Sequence, residues 1–477
     1  MGFRVTRIDV SGANLRNFRP DLYKYGSKQY NALIGRLKRA RCRATLHVVD
    51  ERGRPGTISA RVRDIPLATL QHVLIPGATQ HSHVRPSDLA AAEQILRHNP
   101  EMARRFRSSR VQPIDWATLP FDLNASKVMF VQIVSVGKDG SVDWGAQTIE
   151  NGLFPFQDFA LSPAANILHY GQGGFEGMKA FRQANGDIVI FRPYENAQRM
   201  QRGAKRLVMP PIPEDRFMEA IKAAVLAQPE LIPPAGSGAA LYIRPFLFGS
   251  GPVLGVKPAS EYTFAVFVSP VGPYFKAGFQ PTSLRVETKY HRSGPGLTGD
   301  IKADGNYVVG LMAAKEAKAA GFGEILWLDA ACENVEEAGA ANFFCVVDNE
   351  IYTSMLTGTI LPGITRDSII QLAREFGYTV HDDAKLPLAR VLQAQEAFCT
   401  GTAAVISPIG SIEHDGTKTA FFGGSEDVPE NSVTSRLYKA LLAIQEGRWE
   451  DSVLRGLSSQ FIDRVKREWI YVLNTAG

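Results

Sequence analysis

The chain has 477 residues, 45% of them hydrophobic and 21% charged, which is the composition of a soluble globular protein large enough for two or three domains. No apolar run of about 18 residues or more occurs and the first residues lack an apolar signal core, so we expect neither a membrane span nor a secretory signal. The net charge of +5 is unevenly distributed: residues 1–110 contain 21 Lys and Arg but 8 Asp and Glu, and the remaining residues carry a net negative charge. The charge of the main body therefore gives no reason to expect nucleic-acid binding.

The first 110 residues differ from the rest because they are rich in arginine, with a basic cluster at residues 36–43. Three interpretations stay open: a targeting leader, a mostly disordered tail, or a basic arm that binds nucleic acid or another protein. Serine is scarce and the segment is long, which argues against a leader. His72, His81 and His83 lie close together here, but no Cys or acidic partner stands at metal spacing, so no metal is expected.

From about residue 125 the hydrophobic pattern becomes regular. Runs of β-branched and aromatic residues predict strands at 128–136, 187–191, 240–248 and 262–269. A helix over 194–207 is predicted because apolar residues recur on one face, namely Ala197, Met200, Ala204 and Leu207. The sequence PVGPYF at 270–275 carries Pro and Gly and predicts a linker between two domains.

The second half of the chain alternates strands and helices. Strands are predicted at 283–288, 325–328, 343–347, 396–401 and 403–407, and helices at about 306–320, 364–376 and 432–445. This pattern predicts two mixed α/β domains that divide near residue 275. The predicted units are a basic N-terminal extension (1–110), a small domain (111–275), a large domain (276–455) and a C-terminal tail (456–477).

Common catalytic motifs are absent from the sequence. GQGGFEG at 171–177 looks like a nucleotide loop, but Glu176 stands where GxGxxG requires the third glycine. Neither GxxxxGK[ST], GxSxG nor HExxH occurs. The four cysteines include no CxxC pair, which excludes a zinc ribbon or thioredoxin-type motif and favours a reducing interior.

Lys302 is the remaining candidate for chemistry. It lies between glycines in TGDIKADGNY, residues 298–307, after a polar turn and before an apolar helical pattern. A lysine in such a loop is usually solvated, so the local sequence alone favours the ordinary interpretation.

Eight motifs occur in the same order as in a known protein family, and this resemblance favours a functional role for Lys302 over a solvated loop lysine. They are LHYGQGGFEGMKAFR (168–182), FRPYENAQRM (191–200), LYIRP (241–245), SPVGPYF (269–275), GDIKADGNY (299–307), LWLDA and ENVEEAGAANFF (within 326–344), LPGITR (361–366) and FCTGTAAVISPI (398–409). From about residue 125 to 448 the chain resembles the branched-chain aminotransferases, pyridoxal-phosphate enzymes of fold type IV. The resemblance implies an α/β (mixed α+β) fold of two domains with pyridoxal 5'-phosphate at their interface.

For the cofactor ring the resemblance implies three residues. Lys302 would bind the cofactor as a Schiff base and, once released by the substrate amine, would move the reacting proton. Tyr307 would hydrogen-bond the phenolate oxygen, although an aromatic at a helix start can also simply pack on the core. Glu337 would face the pyridine nitrogen and favour its protonated form by about 4 kcal/mol at about 4 Å, or roughly 3 pKa units. Glu336 is its rival, and the family spacing selects Glu337.

For the phosphate the resemblance implies Arg199 and a helix start. Arg199 would form a charge-assisted pair, although it is also one of three arginines on its helix. In LPGITR, the free backbone N–H groups at Ile364 and Thr365 after Gly363 would face the anion. Thr402 would add a hydroxyl.

For the substrate the resemblance implies an aliphatic pocket and a carboxylate-binding turn. The α-carboxylate would meet backbone N–H groups at Thr402 and Ala403. The side chain would lie among Phe175, Tyr242 and Tyr274, with Tyr170, Leu254 and Val256 contributed by the second subunit of a homodimer. Each aromatic could equally belong to the core, and such a pocket separates one methylene by only about 1–3 kcal/mol, so leucine, isoleucine and valine are not distinguished.

The implied activity is a ping-pong amino transfer from L-leucine, L-isoleucine or L-valine to 2-oxoglutarate. Within the fold, a D-amino-acid aminotransferase or an aminodeoxychorismate lyase is the rival, although both fit YGQGGFEGMKAFR and LYIRP less well. From another class, the rival is a non-catalytic binding protein that uses the basic arm on nucleic acid.

Two features depart from the family or lie outside it. Some members carry a CxxC redox pair after the GTA turn, but Ala404 and Ser407 occupy those positions here, so no thiol switch is expected. Residues 1–110 and those after about Arg455 lie outside the resemblance.

The chain is expected to be intracellular, in a mitochondrion or plastid because of the basic extension, or alternatively in the cytoplasm. Neither a membrane nor a nucleic acid is an expected partner.

Overall fold

The structure, a computed structural model, describes residues 114–473 except 117, 125, 145–151 and 273–278, together with four strands nearer the N-terminus. Those strands form an antiparallel sheet in sequence order: β1 (Phe3–Ser11), β2 (Arg43–Asp50), β3 (Pro55–Arg61) and β4 (Phe106–Ser108). Part of the basic extension therefore has regular secondary structure, which the sequence pattern did not predict. His72, His81, His83 and all of the basic cluster except Arg43 lie outside the described residues.

The described body alternates strands and helices along the chain. Its first part contains β5 (Val128–Val136), β6 (Val142–Asp143), β7 (Leu153–Pro155), α1 (Asn166–Tyr170), β8 (Gly173–Phe175), β9 (Met178–Arg182), β10 (Ile188–Phe191), α2 (Pro193–Arg206), α3 (Glu214–Leu226), β11 (Ala240–Gly249) and β12 (Glu261–Val271). Its second part contains β13 (Thr282–Glu287), α4 (Gly305–Val308), α5 (Leu311–Ala319), β14 (Glu324–Leu328), β15 (Asn334–Ala338), β16 (Ala341–Val347), β17 (Glu350–Thr353), α6 (Ile364–Glu375), β18 (Val380–His381), β19 (Leu386–Pro387), α7 (Leu388–Val391), β20 (Glu396–Gly401), β21 (Val405–His414), β22 (Thr417–Ala420), α8 (Val433–Gln445), α9 (Ser459–Glu468) and β23 (Ile470–Leu473).

The first part of the body is an antiparallel sheet covered by two helices. Its strand order is β23-β10-β9-β11-β12-β5-β6, with β7 beside β5 and β8 beside β11. Helices α2 and α3 are amphipathic, and their buried faces, which include Met200, Phe217 and Ile221, pack with Leu241 and Phe264 of the sheet in one core.

The second part is a sheet that closes on itself. The order is β18-β17-β16-β20-β21-β13-β14-β15-β19, and an additional β15–β16 pair closes six of these strands into a ring. Two pairs within the ring, β13–β14 and β13–β21, are parallel, and the others are antiparallel. Helices α6 and α8 pack on the outside, in a core that contains Phe344, Phe398 and Leu441.

The C-terminal residues complete the first sheet. Strand β23 pairs with β10 from Ile188↔Leu473 to Phe191↔Ile470. Trp469 is 2% exposed, and the Arg192 guanidinium lies 5.1 Å from its ring centroid. Residues 456–473 are therefore part of the body and not a separate tail, because they cover an edge strand and bury a large aromatic.

Most predicted elements are present with ends shifted by one or two residues. Strand β5 matches its prediction, α2, α6 and α8 differ little, and β21 extends further than predicted, to His414. The helix predicted over 306–320 is interrupted between α4 and α5. The hydrophobic pattern did not predict helices α3 and α9, strands β8, β9, β15, β17, β22 and β23, or several shorter elements. The boundary near 275 stays a prediction because residues 273–278, including Tyr274, lie outside the described residues.

Among the helices that the structure describes, none has the length and hydrophobicity required to cross a membrane.

Replacing Trp469 tests whether the C-terminal segment stabilises the body. Trp469→Ala should lower the free energy of unfolding by about 3–5 kcal/mol, because it removes a buried indole and leaves a cavity. Val472→Ala, in strand β23 directly after Trp469, is the control, and it should have a small effect because Val472 is 42% exposed. Thermal unfolding followed by circular dichroism measures both, and equal midpoints for the two variants would show that residues 456–473 are dispensable for stability.

Candidate active site

Lys302 lies where the two halves of the body meet. The Phe175 N–H donates to the Lys302 carbonyl at 3.2 Å, and the Asp304 N–H donates to the Gly173 carbonyl at 3.1 Å. This short bridge attaches the segment after β13 to strand β8 of the first sheet. A Cβ at Gly174 would lie 3.0 Å from the Lys302 carbonyl oxygen, so glycine permits this close backbone approach.

The Lys302 amine is enclosed by aromatic rings. Its Nζ donates to the Tyr307 hydroxyl at 2.6 Å and lies 4.6 Å from the Phe175 ring centroid. Burial lowers the pKa of the amine to about 7, and the positive charge of Arg199 acts in the same direction. Lys302 is therefore not a solvated loop lysine, and near neutral pH a substantial fraction of its amine is unprotonated and nucleophilic.

Tyr307 is the hydrogen-bond partner of that amine. Burial and the negative charge of Glu337 raise the pKa of its hydroxyl well above the ordinary range. The phenol therefore stays protonated and can hydrogen-bond a second group besides Lys302.

Glu337 is buried and held from several directions. Its Oε2 lies 2.6 Å from Arg292 Nη2, and its Oε1 accepts from Asn342 Nδ2 at 3.1 Å and from the Leu361 N–H at 3.3 Å. Burial raises the pKa of the carboxyl, while the charge of Arg292 opposes the shift. Arg292 was not predicted from the sequence. Its positive charge offsets much of the negative charge of Glu337, so the carboxylate stabilises a protonated pyridine nitrogen by less than the value expected for an isolated carboxylate.

Lys302 and Phe175 border a small space of their own, whereas Tyr307 and Glu337 line a larger cavity at the junction. It has a volume of about 200 Å³, and its walls include Tyr307, Glu337, Arg292, Leu361 and Trp327. Glu336, the rival of Glu337, does not line it. Neighbouring residues of a strand point to opposite faces, so β15 directs only one of the two carboxylates into this cavity.

Arg199 lies beside the start of helix α6. Its Nη1 donates to the Pro362 carbonyl at 3.2 Å, next to Gly363, Ile364 and Thr365. Gly363 is the N-cap residue, and no side chain caps this helix, so its first N–H groups have no side-chain partner. A guanidinium and a free helix N-terminus together form a site suited to a phosphate.

Arg199 is also half of a buried ion pair that the sequence analysis missed. Its Nε and Nη2 donate to the two carboxylate oxygens of Glu176, both at 2.8 Å, and Asn196 Nδ2 donates to the same carboxylate at 2.7 Å. Glu176 is fully buried. The residue that breaks the nucleotide-loop pattern in GQGGFEG therefore fixes the guanidinium.

The turn at Thr402 and Ala403 reaches the first sheet. Thr402 Oγ1 donates to the Gly177 carbonyl at 3.2 Å, and Lys179 Nζ donates to the Ala403 carbonyl at 2.6 Å. Burial lowers the pKa of the Lys179 amine to about 8. Val405 follows with φ 65°, which is rare for a β-branched residue, so tertiary contacts impose the turn geometry.

Phe175, Tyr242 and Arg244 form an aromatic and cationic group beside Lys302. The Arg244 guanidinium lies 4.8 Å from the Phe175 ring centroid, and its Nη2 donates to the Tyr242 hydroxyl at 3.2 Å. Its Nε is buried without a partner. The motif LYIRP does not by itself identify Arg244 as a site residue, because the role of one strand arginine depends on neighbours that are distant in sequence.

Tyr170, Leu254 and Val256 lie apart from this group on the surface. The Tyr170 hydroxyl donates to the Leu254 carbonyl, and the three side chains are 40%, 92% and 86% exposed. Within one chain they are available to contact another molecule. Within the described residues no cluster of three His, Cys, Asp or Glu is arranged to hold a metal ion.

Comparisons with known proteins identify similar chains. The family model "Amino-transferase class IV" matches residues 173–412. "Branched-chain-amino-acid aminotransferase 5, chloroplastic" of Arabidopsis thaliana is 46% identical over 71% of this chain and 79% of its own length. "Branched-chain amino acid aminotransferase 1, mitochondrial" of Humulus lupulus is 39% identical over 76% of this chain and 89% of its own length. A methionine aminotransferase of Arabidopsis thaliana is 42% identical over 71% and 92%.

Solved structures share the fold. A branched-chain amino acid aminotransferase of Escherichia coli has a TM-score of 0.56 and 26% identity, and the match covers 74% of this chain and 100% of its own. The branched-chain amino acid aminotransferase of T.th. with pyridoxamine 5'-phosphate has a TM-score of 0.57, with the same identity and coverage.

Replacing Glu176 tests whether the buried ion pair stabilises the site. Glu176→Ala leaves the Arg199 charge buried without its partner, so it should lower the free energy of unfolding by about 3–5 kcal/mol. Glu230→Ala is the matched control, because its ion pair with Lys127 at 2.7 Å is partly exposed and should contribute about 1 kcal/mol or less. Thermal unfolding measures both, and a Glu176→Ala midpoint equal to that of Glu230→Ala would contradict the structural role.

Proposed function

The chain belongs to the branched-chain aminotransferases within the class IV aminotransferases, and from this premise we propose which substrates it uses and what its residues do. It transfers the amino group of L-leucine, L-isoleucine or L-valine to 2-oxoglutarate, giving branched 2-oxo acids and L-glutamate. The observation that carries this proposal is the enclosed Lys302 amine, which donates to the Tyr307 hydroxyl at 2.6 Å. Tyr307 in turn lines a cavity together with the buried carboxylate of Glu337. L-Methionine is the second candidate donor, because a methionine aminotransferase is 42% identical to this chain.

The cofactor of this family is pyridoxal 5'-phosphate, and the residues of the site fit it. An enclosed lysine amine suits the aldehyde, the free start of helix α6 with Arg199 suits the phosphate, and Glu337 lines the wall that a ring would occupy. When bound, the cofactor withdraws electrons from the substrate Cα and so makes its proton removable.

Lys302 has two roles in this proposal. It binds the cofactor covalently at rest and, once a substrate amine has replaced it, acts as the base and acid that moves the proton. A pKa lowered to about 7 suits both roles, since the amine can accept and return a proton near neutral pH. Tyr307 orients the amine through their hydrogen bond.

Glu337 and Arg292 act together at the ring nitrogen. Arg292 positions the carboxylate, which retains lone pairs beyond the contacts described above. Because this carboxylate is shared with a guanidinium, it favours a protonated ring nitrogen less than an isolated carboxylate would. Arg199 and the N–H groups at Ile364 and Thr365 bind the phosphate, and Thr402 supplies a hydroxyl.

Two groups face the remaining parts of the substrate. The backbone N–H groups at Thr402 and Ala403 bind the α-carboxylate. Phe175 and Tyr242 bind an aliphatic side chain, and Arg244 at their edge binds the second carboxylate of 2-oxoglutarate or glutamate. One pocket thereby accepts both partners of a ping-pong reaction. Tyr274 stays a predicted member of this pocket.

The protein acts as a homodimer in an organelle in this proposal. The exposed Tyr170, Leu254 and Val256 form a surface that would contact the second subunit and complete its pocket. A plastid or mitochondrial location is supported by the chloroplastic and mitochondrial relatives and by the basic extension. We retain the small domain (111–275) and large domain (276–455) as its two units.

An assay with three amino donors tests the substrate proposal. L-Leucine, L-methionine and D-alanine are each supplied with 2-oxoglutarate, and L-glutamate is measured. L-Leucine should be the best donor, and Lys302→Ala should be inactive with all three. Faster turnover of L-methionine would assign the second candidate, and activity confined to D-alanine would refute both.

The pH dependence of cofactor binding tests the Lys302 environment. Only the neutral amine attacks the aldehyde, so covalent attachment of pyridoxal 5'-phosphate to the apoprotein should accelerate as pH rises through about 7 and then level off. An ordinary lysine, with a pKa of about 10.4, would continue to accelerate above pH 9. The visible absorbance gives the rate, and Lys302→Arg is the control without attachment.

Replacing Arg244 tests the second carboxylate site. Arg244→Gln removes a charge-assisted contact worth about 1.5–3 kcal/mol, so the KM for 2-oxoglutarate should rise about 10- to 100-fold. The KM for L-leucine should change much less, because its side chain carries no charge. Steady-state kinetics measure both constants, with Arg244→Lys as the control that keeps the charge, and equal increases in both KM values would contradict this role.

A further inference from the structure

A second cavity lies beside strand β15 and is separate from the active-site cavity. Its volume is about 290 Å³, and none of its wall residues lines the 200 Å³ active-site cavity. Glu336 lines the second cavity, and its neighbour Glu337 lines the first. The two adjacent glutamates therefore line two different cavities.

Glu336 lines this cavity and carries an unpartnered acceptor atom. The residue is 7% exposed, and its Oε1 accepts from Thr359 Oγ1 at 2.5 Å. Its Oε2 is buried and has no hydrogen-bond partner. A buried carboxylate oxygen without a donor is unfavourable, so this atom is suited to a ligand that supplies one.

The charge of Glu336 determines which ligand fits. Burial raises the pKa of its carboxyl, while the Thr359 hydroxyl and the positive charge of Arg292 lower it. The net shift of the pKa is upward, and the ionised form, which the Thr359 hydroxyl and the Arg292 charge stabilise, is the form that requires a donor and gains from a positive charge on a ligand. The other carboxylate of the wall, Asp329, already pairs with Lys385 at 3.2 Å and accepts from Asn334 at 2.8 Å.

The rest of the wall is mainly apolar. Ala331, Val335, Met355 and Ile360 all line the cavity, and Ala331 lies at its exposed side. A small ligand here would place an aliphatic part against these side chains and its charged end on Glu336.

The cavity is connected to the active site by direct contacts. Arg292 Nη2 donates to the Thr359 carbonyl at 2.8 Å and lies 2.6 Å from Glu337 Oε2. Thr359 therefore contacts Glu336 through its hydroxyl and Arg292 through its carbonyl. A ligand that moves Glu336 would displace Thr359 and so change how Arg292 holds Glu337.

We propose that this cavity is a regulatory site for a small aliphatic ammonium ion, which binds to Glu336 and acts on Glu337 through Thr359 and Arg292. Binding of an ammonium ion to this cavity does not depend on the proposed function. The effect of that binding on Glu337 rests on the proposed function.

Calorimetric titration of the full-length holoenzyme tests the binding part. The probe is N,N-dimethylbutylamine, whose ammonium form has one N–H donor and which, as a tertiary amine, cannot form a Schiff base in the active site. N-Butylacetamide, of similar length with a donor but no charge, is the matched probe. The ammonium ion should bind saturably, at least tenfold more tightly than the amide.

Three variants locate the binding. Glu336→Gln removes the charge at nearly constant volume, and Ala331→Leu narrows the cavity while leaving Glu336 intact. Both should weaken binding at least tenfold. Glu333→Gln removes an exposed carboxylate from the same segment outside the cavity wall and should leave binding unchanged. Thermal unfolding shows whether each variant folds. If Glu336→Gln does not fold, the binding measured with Ala331→Leu decides the outcome. No saturable binding to the unsubstituted protein, or unchanged binding to the folded variants, would overturn the site.

The visible cofactor band tests the regulatory part. A saturating ammonium probe should shift the pH midpoint of this band in the unsubstituted protein and in Glu333→Gln, but not in Glu336→Gln. A band that is present and unmoved, although the probe binds, would overturn the connection to Glu337. Absence of any cofactor band would instead contradict the proposed function.

Discussion

The balance of charge around one buried amine is the constraint on which the site depends. Arg199 is paired with Glu176 at 2.8 Å and Arg292 with Glu337 at 2.6 Å, and all four side chains are buried or nearly so. Because each cation has its own carboxylate, neither pair supplies Lys302 with a partner that would keep it protonated. Burial therefore dominates and lowers the pKa of the amine to about 7.

The fold supplies this arrangement from both halves of the body. The first half contributes Phe175 at the end of strand β8, Glu176 directly after it and Arg199 in helix α2. The segment after β13 contributes Lys302. Strand β15 contributes Glu337 from the closed sheet. The backbone bridge between Phe175 and Lys302, at 3.2 Å, holds the two halves in register. A site assembled from separated segments in this way requires the complete body, including the C-terminal strand that covers one edge of the first sheet.

Many of the longer elements follow from hydrophobic pattern, although helices α3 and α9 do not, and the proposed site residues rest on the family resemblance that the motifs carry. Strand β15 was missed because NVEEA carries two glutamates and reads as a polar segment, although four of its five residues are buried. Arg292, Arg244 and Glu176 were missed for a related reason, since their roles arise from partners that are not their neighbours in sequence. Family spacing selects Glu337 over Glu336, and the pleat of strand β15 gives the physical reason, because only Glu337 lines the active-site cavity.

Mapping the site of covalent cofactor attachment tests the central claim most directly. The purified holoenzyme is reduced with borohydride and digested, and the phosphopyridoxyl group is located by mass spectrometry. The chain offers an internal comparison, because Lys179 is also buried and has a pKa of about 8. The account predicts modification of Lys302 with Lys179 unmodified. Modification of Lys179 or of a surface lysine, with Lys302 unmodified, would contradict it.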